Sequence, residues 1–211
     1  MQPTSPMKPL VGILLAAGTG TRFGGQKLVA PLWPGATVAG LACRKLVHAT
    51  DRVLAIVRPQ ESLLGRLLMN EGAEVLICED ADLGMGTSLA FGVRAASEAK
   101  GWLVALADMP LIESSTLKTL ADALHFGHPL VIPRYQGRRG HPVGFGACHY
   151  QRLSQLQGDQ GGRSILDNPS LERTEISFED QGILLDIDTP EELDQYRLIL
   201  KARMNVDCSS S

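Results

Sequence analysis

The stretch Ile13-Leu-Leu-Ala-Ala-Gly-Thr-Gly-Thr-Arg-Phe-Gly-Gly-Gln-Lys27 joins an apolar run to a glycine-rich loop. The apolar run, residues 11–17, predicts a buried β-strand. The loop that follows contains Gly18, Gly20, Gly24 and Gly25. Because glycine lets the backbone turn sharply and leaves its N–H groups accessible, such a loop is suited to hold an anion. Two cations at its far end, Arg22 and Lys27, complete a cradle for a polyphosphate.

Two familiar glycine-loop patterns do not fit this loop. The dinucleotide-binding pattern requires a glycine at position 23, where this chain has Phe23. The P-loop pattern would use Gly20 and Gly25, but Gln26 follows, so that the lysine arrives one residue late. An ordinary strand-to-helix turn would also use glycines, whereas the arginine and the lysine at these offsets favour phosphate binding.

The composition excludes several classes of protein. The 211 residues are 44% apolar and 20% charged, with a formal net charge of −3. One domain with a sizeable core is expected, and nucleic acid is not expected as a partner. Residues 1–8 lack the apolar core of a signal peptide, and no run reaches the length of a membrane span. The four cysteines are too scattered for a zinc site or a disulfide framework, which favours a cytoplasmic location.

Strand and helix patterns alternate along the chain. The predicted strands are residues 11–17, 52–57, 74–78, 102–107, 130–133 and 183–187. The predicted helices are residues 37–49, 63–71, 87–99, 114–124, 147–157 and a last one that opens with the capping box of Thr189 and Glu192. This order predicts a single α/β domain over residues 1–211, Rossmann-like, with a mostly parallel sheet, helices on both faces, an ordered core from 9 to 203 and short tails.

Two aspartates follow predicted strands, at the edge where ligands bind in such folds. Asp108 comes directly after the fourth strand, and Asp188 comes after the last one. Carboxylate oxygens suit Mg²⁺, so the two aspartates are candidates for one metal site if the sheet brings them together. Asp188 also has a purely structural explanation, because an aspartate beside a helix start interacts with the macrodipole. Asp186 is a competing ligand, ranked lower because it would lie deeper in the strand.

Two further elements carry polar groups suited to anionic ligands. Gly84-Met-Gly-Thr-Ser88 opens a predicted helix, so its N–H groups and hydroxyls either contact a nucleotide or only cap the helix. Arg138-Arg139-Gly140-His141-Pro142 either binds a second anionic substrate or is a solvated basic loop. His141 offers a general base or orients the loop. An attacking phosphate is already ionised and needs no base, which favours the orienting role.

Taken together, these motifs resemble those of the nucleotidyltransferases, and most closely the molybdenum cofactor cytidylyltransferases. The resemblance rests on the first loop, on Asp108-Met-Pro and on Arg139-Gly-His-Pro. Residues 158–163 are also similar to the family's Gly-Asp-x-Gly-Ala-Arg, with Gly162 in place of alanine. The resemblance implies a nucleotidyltransferase fold and a Mg²⁺-dependent transfer of CMP from CTP to the terminal phosphate of molybdopterin, with release of pyrophosphate.

The resemblance also assigns roles to residues. It implies that Arg22, Lys27 and Asp108 are catalytic and that Asp108 and Asp188 hold the metal. The implied nucleotide contacts are Leu15, Ala16, Ala17, Gly18, Gly20, Thr21, Arg22, Lys27, Gly86, Ser88 and Asp108. The implied contacts with the molybdenum cofactor are Arg138, Arg139, Gly140, His141, Asp159 and Arg163. A recipient molybdoenzyme is a further candidate partner.

The base and the reaction have alternatives. In the family, Leu-Ala-Ala-Gly is typical of cytidine users and Leu-Ala-Gly-Gly of guanosine users, so Ala17 favours CTP over GTP. The methyl group of Ala17 narrows the room for the base, which suits a pyrimidine. The rivals are a guanylyltransferase with the same acceptor, a sugar- or polyol-phosphate nucleotidyltransferase, and a chaperone that binds the molybdenum cofactor without chemistry.

Overall fold

Strands and helices alternate along most of the chain, as the sequence predicts. The structure is a computed structural model and describes residues 8–18, 23 and 26–209, with side chains up to residue 201. The strands are β1 (Leu10–Leu15), β2 (Pro31–Trp33), β3 (Ala36–Thr37), β4 (Arg52–Val57), β5 (Glu74–Ile77), β6 (Gly101–Leu106), β7 (Leu130–Tyr135), β8 (Arg138–Arg139), β9 (Val143–Gly146) and β10 (Thr174–Ser177). The helices are α1 (Val38–Ala49), α2 (Ser62–Asn70), α3 (Met85–Ala95), α4 (Ser114–His125), α5 (Tyr150–Ser154), α6 (Arg163–Leu166) and α7 (Pro190–Ser209). Among these helices, none combines the length and the apolar character needed to cross a bilayer.

The central sheet has the strand order β5–β4–β1–β6–β9–β7–β10, with β8 paired to β7 beside this path. Strand β1 runs parallel to both β4 and β6, and the pairs β4–β5 and β7–β10 are also parallel. Strand β9 is antiparallel to both of its neighbours. The predicted mostly parallel α/β sheet is therefore confirmed, and the carboxyl ends of β4, β1 and β6 lie side by side at one edge.

Strand β1 is central and separates two layers of core. All six of its residues are buried. Leu10 and Leu14 belong to a cluster that contains apolar residues of α1, α2 and α4, whereas Val11 and Ile13 belong to one that contains residues of α3, α5 and α6. Since successive side chains of a strand point to opposite faces, helices cover both faces of the sheet, as predicted.

The prediction of a strand at residues 183–187 is wrong. Gln181–Leu184 forms a 3₁₀ turn instead. The Asp180 carboxylate accepts a backbone N–H of this turn at 2.9 Å, and the carbonyl of Ile183 accepts the backbone N–H of His141 at 2.9 Å. Because these backbone groups bond to a cap and to a neighbouring loop, the segment crosses the end of the sheet and does not join its ladder.

Two helices are shorter than their patterns predict. Helix α3 ends at Ala95 and not at residue 99, since the Ala96 carbonyl accepts the indole N–H of Trp102 at 3.2 Å and Ala96 leaves the helical conformation. The helix predicted at 147–157 is a 3₁₀ turn followed by the five residues of α5. The apolar spacing predicted where both helices lie. It did not predict where they end, because local hydrogen bonds and backbone conformation decide that.

His149 makes the fold sensitive to acid. Its side chain is 3% exposed and meets the Phe145 ring edge-on at 6.2 Å between centroids. Burial, aided by the positive charge of Arg152, lowers the pKa of His149 from its ordinary value of 6.5. The unfolded chain therefore binds this proton more readily, so we expect the free energy of unfolding to fall by about 1 kcal/mol as the pH drops from 7.5 to 5.5.

Urea denaturation at the two pH values measures this effect. His149→Gln removes the titrating group, so the difference in unfolding free energy between the two pH values should shrink. The matched control is His125→Gln, which changes an exposed histidine at the end of α4 and should keep the wild-type difference. Burial also lowers the pKa of His141, which leaves a residual slope of the same sign. An unchanged slope in His149→Gln would contradict the assignment.

Candidate active site

Lys27 is the cationic centre of the site. It lies on a 3₁₀ turn directly after the glycine loop and is only 8% exposed. Its Nζ donates to Asp108 Oδ2 at 2.9 Å and to Asp188 Oδ1 at 3.1 Å. Burial acts to lower the pKa of Lys27, but the charges and hydrogen bonds of Asp108 and Asp188 outweigh it and raise the pKa above its ordinary value. The ammonium is therefore charged at any physiological pH and ties the two carboxylates together.

The two aspartates reach Lys27 from different parts of the fold. Asp108 lies two residues beyond β6, and its carbonyl accepts the backbone N–H of Ile187 at 3.0 Å. This bond fastens the crossing segment to the sheet edge and places Asp188 beside Asp108. The predicted capping box is also present, because Glu192 accepts the Thr189 N–H at 2.9 Å and donates its own N–H to the Thr189 hydroxyl at 3.2 Å.

Asp186 completes a cluster of three carboxylates. One ligand oxygen each from Asp108, Asp186 and Asp188 lies within 4.8 Å of the others. Asp186 is exposed overall and is not deep in a strand, contrary to the reason for which it was ranked lower. Desolvation of its carboxyl group, together with the charges of Asp108 and Asp188, raises the pKa of Asp186. Three carboxylates this close repel one another, and a cation bound among them would relieve the repulsion.

These residues fit a divalent ion. Asp108 Oδ1 is buried and has no hydrogen-bond partner within the described part of the chain. Hard ions such as Mg²⁺ prefer carboxylate oxygens, and opposite ligands of an octahedral Mg²⁺ stand about 4.2 Å apart. The three oxygens all lie within 4.8 Å of one another, a limit slightly above this value. The donor set is therefore of the right chemical kind, and Asp108 Oδ1 is an oxygen that could bind a metal.

A cavity of about 480 Å³ opens beside Lys27 and Asp108. Ala17 and Gly18 form part of its wall where β1 ends, and Ser88 of α3 lines it from the opposite helix. Leu15 also lines it, whereas Ala16 is buried in the core and bonds through its backbone N–H to the Ile56 carbonyl. The remaining lining residues are Gln26, Leu28, Val29, Arg58, Glu61, Ala81, Asp82, Gly84, Met85, Leu106 and Asp159.

The start of α3 packs against the second glycine loop. Gly84 has φ +119°, and a Cβ at this position would lie 2.3 Å from Asp159 Oδ1. A Cβ on Gly86 would lie 2.8 Å from the Gly158 carbonyl oxygen. Glycine is therefore required at both positions by close approach, and helix α3 has no side-chain N-cap. Among the described residues, Asp159 lines the cavity and Gly86 does not.

The arginine element lies on the other side of Asp108. Arg138 and Arg139 form the short strand β8, which pairs with β7, and both residues are exposed, so the segment is a short strand with solvated side chains. Arg139 Nη1 lies 2.8 Å from Asp167 Oδ1, and Arg163 Nε lies 3.4 Å from Asp167 Oδ2. The structure thus joins the two predicted cationic residues through Asp167, which the sequence patterns did not indicate. Arg138 is exposed.

His141 is held near the carboxylates by its backbone. A Cβ on Gly140 would lie 2.5 Å from the Ile183 carbonyl oxygen, the same oxygen that accepts the His141 N–H. Burial lowers the pKa of His141, opposed by the charge of Asp108 and aided by that of Arg139. Its Nδ1 is buried without a hydrogen-bond partner among the described residues. The neutral ring is therefore positioned between the metal-type cluster and the arginine element.

Three of the predicted nucleotide-binding residues, Gly20, Thr21 and Arg22, lie outside the described residues. Several lining residues were missed by the sequence analysis, and Arg58 is the basic one among them. Arg58 directly follows β4; its Nε donates to the Ala17 carbonyl at 2.6 Å, and its Nη1 lies 2.5 Å from Asp82 Oδ1. The available signal was a basic residue at the carboxyl end of a parallel strand, where ligands bind.

Comparisons with known proteins add a family and a fold. Residues 12–174 match a family described as the MobA-like NTP transferase domain. Two relatives are each 30% identical over 199 residues: "Purine catabolism protein PucB" of Bacillus subtilis, with 89% of this chain and 96% of the relative covered, and "Nicotine blue oxidoreductase" of Paenarthrobacter nicotinovorans, with 90% and 96% covered.

Solved structures share the architecture. The crystal structure of Rv0371c from Mycobacterium tuberculosis H37Rv matches with a TM-score of 0.80 at 24% identity, covering 90% of this chain and 98% of that one. A structure of the same protein in complex with manganese matches with a TM-score of 0.73 at 24% identity, covering 89% and 97%. At this identity the likeness establishes a common fold.

Proposed function

Because the chain belongs to the MobA-like NTP transferase family and is a nucleotidyltransferase, we propose that it transfers CMP from CTP to the terminal phosphate of molybdopterin. The observation that carries the proposal is the contact of Lys27 with both Asp108 and Asp188, at the edge of a nucleotide-sized cavity. The choice of molybdopterin rests on the Arg139-Gly-His-Pro element and on Asp159 and Arg163, through the resemblance of these motifs.

The sheet order supports separate places for the two proposed substrates. The cavity opens at the ends of β1, β4 and β6, with Asp108 in its lining, and the arginine element lies beyond β6 on β8, beside β7. CTP in the cavity would present its α-phosphorus towards Asp108. Molybdopterin would approach from the side of Arg139. The guanidinium groups of Arg139 and Arg163 would attract its phosphate.

The reaction is a displacement at phosphorus. An oxygen of the acceptor phosphate forms a bond to the α-phosphorus of CTP. The bond from that phosphorus to the α,β-bridging oxygen breaks, and pyrophosphate leaves with the electron pair. The attacking oxygen carries no proton, so no general base is needed. The chain's own contribution is to position both phosphates and to neutralise charge, and a cation about 4 Å from a phosphate oxygen contributes on the order of 4 kcal/mol at an effective dielectric near 20.

Asp108 and Asp188, with Asp186 as a third candidate, would hold the Mg²⁺. The ion, when bound, supplies a Lewis acid that stabilises negative charge on the phosphoryl oxygens. Lys27 would then contact the triphosphate. A structure of the same fold is a complex with manganese, which supports the use of a divalent ion, and Mg²⁺ is the proposed physiological ion because it pairs readily with substrate phosphates.

A nucleotide panel tests the proposal. The protein is incubated with Mg²⁺, molybdenum cofactor and each of CTP, GTP, UTP and ATP, and both pyrophosphate and the mass of the pterin product are followed. Pyrophosphate with a cytosine dinucleotide product is expected. A guanine dinucleotide product would select the guanylyltransferase alternative. Transfer to a sugar or polyol phosphate only, or pterin binding without pyrophosphate, would select the other two.

Ala17 gives a test of base choice. Ala17 lines the cavity, so we expect that removing its methyl group makes room for a larger base. We expect Ala17→Gly to relax the preference for CTP over GTP by about tenfold, which is the typical effect of one methyl-sized group in a pocket. Competition between the two nucleotides in one reaction measures the ratio directly.

The matched control is Ala16→Gly, which adds the same backbone freedom to the same loop. The Ala16 methyl group lies in the core and not in the cavity. The ratio of CTP to GTP use should therefore stay at the wild-type value in this variant, even if the rate falls. Equal ratios in all three proteins would remove Ala17 from the account of base choice.

A further inference from the structure

The geometry points to Arg58 and Asp82 as the residues that distinguish cytosine from uracil, an inference that rests on the proposed use of CTP. No motif of the sequence includes either residue. Both line the cavity, and they contact each other at 2.5 Å between Arg58 Nη1 and Asp82 Oδ1. They form a donor and an acceptor side by side in the wall of a nucleotide-sized space.

The sheet places this pair at the base end of the cavity. Strands β4 and β6 lie on opposite sides of β1, so their ends are about 10 Å apart, at about 4.8 Å per strand. Lys27 and Asp108 mark the β6 side, where the phosphates belong. Arg58 follows β4 and marks the other side. A nucleotide with its phosphates at Lys27 must extend its base towards Arg58.

Arg58 is held ready for a planar ligand. Its side chain is 20% exposed, and its Nε donates to the Ala17 carbonyl at 2.6 Å. With Nη1 on Asp82, these contacts fix the plane of the guanidinium, and neither uses Nη2. Lys27 and Arg58 are the two basic side chains among the described residues that line the cavity, and Lys27 is already bound to the carboxylates. Arg58 is bound to Asp82 in turn, but it lies on the opposite side of β1 and is therefore the basic side chain next to the base.

The chemistry of the pair matches cytosine. The Watson–Crick edge of cytosine offers two acceptors, O2 and N3, next to a donor, the exocyclic amine. A guanidinium donates to adjacent acceptors, and a carboxylate accepts from an amine. Uracil reverses two of these groups, since it has N3–H and a carbonyl at position 4. Arg58, whose side chain is 20% exposed, would then face a donor, and Asp82, whose side chain is 80% exposed, would face an acceptor. A site built on polar contacts disfavours a ligand that leaves those contacts unmade.

Two other roles of Arg58 must be distinguished from recognition of the base. Arg58 also supports Ala17, so its loss can loosen the wall without any contact to the base. It also carries a charge that attracts any polyphosphate. Inorganic tripolyphosphate has the phosphates and no base, and UTP has the same size as CTP. Together these two probes separate a phosphate contact and a wall effect from recognition of cytosine.

The experiment is isothermal titration of CTP, UTP and tripolyphosphate with Mg²⁺ and without acceptor. The proteins are the wild type, Arg58→Met, Arg58→Lys and Asp82→Asn, with Arg66→Met on the exposed side of α2 as the control. In the three site variants we expect the Kd for CTP to rise 10- to 100-fold, while the Kd values for UTP and tripolyphosphate stay within about threefold. The control should match the wild type.

Equal weakening of all three ligands, or a retained ratio of CTP to UTP affinity, would overturn the inference. Arg58→Lys and Asp82→Asn keep size and polarity, so they carry the test if Arg58→Met does not fold. Wild-type protein that binds tripolyphosphate but shows no preference for CTP would contradict the proposed nucleotide instead. That result is read from the wild type alone, before any variant is compared.

Discussion

Asp108→Asn is expected to slow pyrophosphate release by about a thousandfold or more. Asp108 bonds to Lys27 through Oδ2 and leaves its buried Oδ1 without a partner in the described chain. The amide of asparagine has the same shape but no charge, so it removes half of the ionic contact and a metal ligand. A Lewis acid contributes several kcal/mol to the transition state, and each 1.36 kcal/mol is tenfold in rate.

The fold should survive this change. Asp108 keeps its backbone bond to Ile187 in the variant, and Lys27 keeps Asp188. Circular dichroism should therefore match the wild type, whereas Mn²⁺ affinity in the presence of CTP should fall in parallel with the rate. Asp122→Asn, on the exposed surface of α4, controls for the loss of one charge. Turnover above a tenth of the wild-type rate would show that Asp108 does not hold the metal.

Most of the fold could be predicted from the sequence because its apolar periodicity is strong. Five strands and the helices that follow them were located from apolar runs alone, and β4 (Arg52–Val57) matched its predicted bounds. The short strands β2, β3 and β8 were missed, and so were β9 and β10. Strand β9 is Val-Gly-Phe-Gly, too short and too glycine-rich to give a period, and β10 has alternate residues exposed and no fully buried position. Pairing across the sheet, which no local pattern encodes, makes them strands.

The site was predictable where a residue follows a strand and unpredictable where distant segments meet. Lys27 and Asp108 stood out by position. Asp188 was selected for a reason that proved wrong, since no strand precedes it; a backbone bond from its neighbour Ile187 to Asp108 brings it to the site. Asp167 was missed because an acid on a short helix has no distinguishing context until two arginines surround it.

Lys27→Met is expected to separate metal binding from nucleotide binding. The Lys27 ammonium now satisfies both Asp108 and Asp188, at 2.9 Å and 3.1 Å. A divalent ion held by the same two carboxylates, at about 4 Å from the ammonium, would be repelled by about 8 kcal/mol at an effective dielectric near 20. The ion and the ammonium therefore compete for the carboxylates until a triphosphate offers the ammonium another anion. In the wild type, metal and nucleotide should bind with strong positive coupling.

The variant removes the competitor and one of the triphosphate's partners together. We expect its nucleotide-free Mn²⁺ affinity to increase by at least tenfold, its CTP affinity to fall by about 100-fold, and pyrophosphate release to fall by about a thousandfold, since close charge-assisted contacts are worth several kcal/mol. Without metal its melting temperature should drop, because two neighbouring carboxylates lose their counter-ion, and Mn²⁺ should restore it. Titration calorimetry and thermal melts with and without CTP measure the two affinities and the melting temperature, and a pyrophosphate assay measures the rate, with Lys118→Met on the exposed face of α4 as the control. The contrary result is weaker binding of Mn²⁺ to the variant than to the wild type in the absence of nucleotide. In that case the ammonium supports the metal and does not compete with it. The positive coupling between metal and nucleotide would then be wrong.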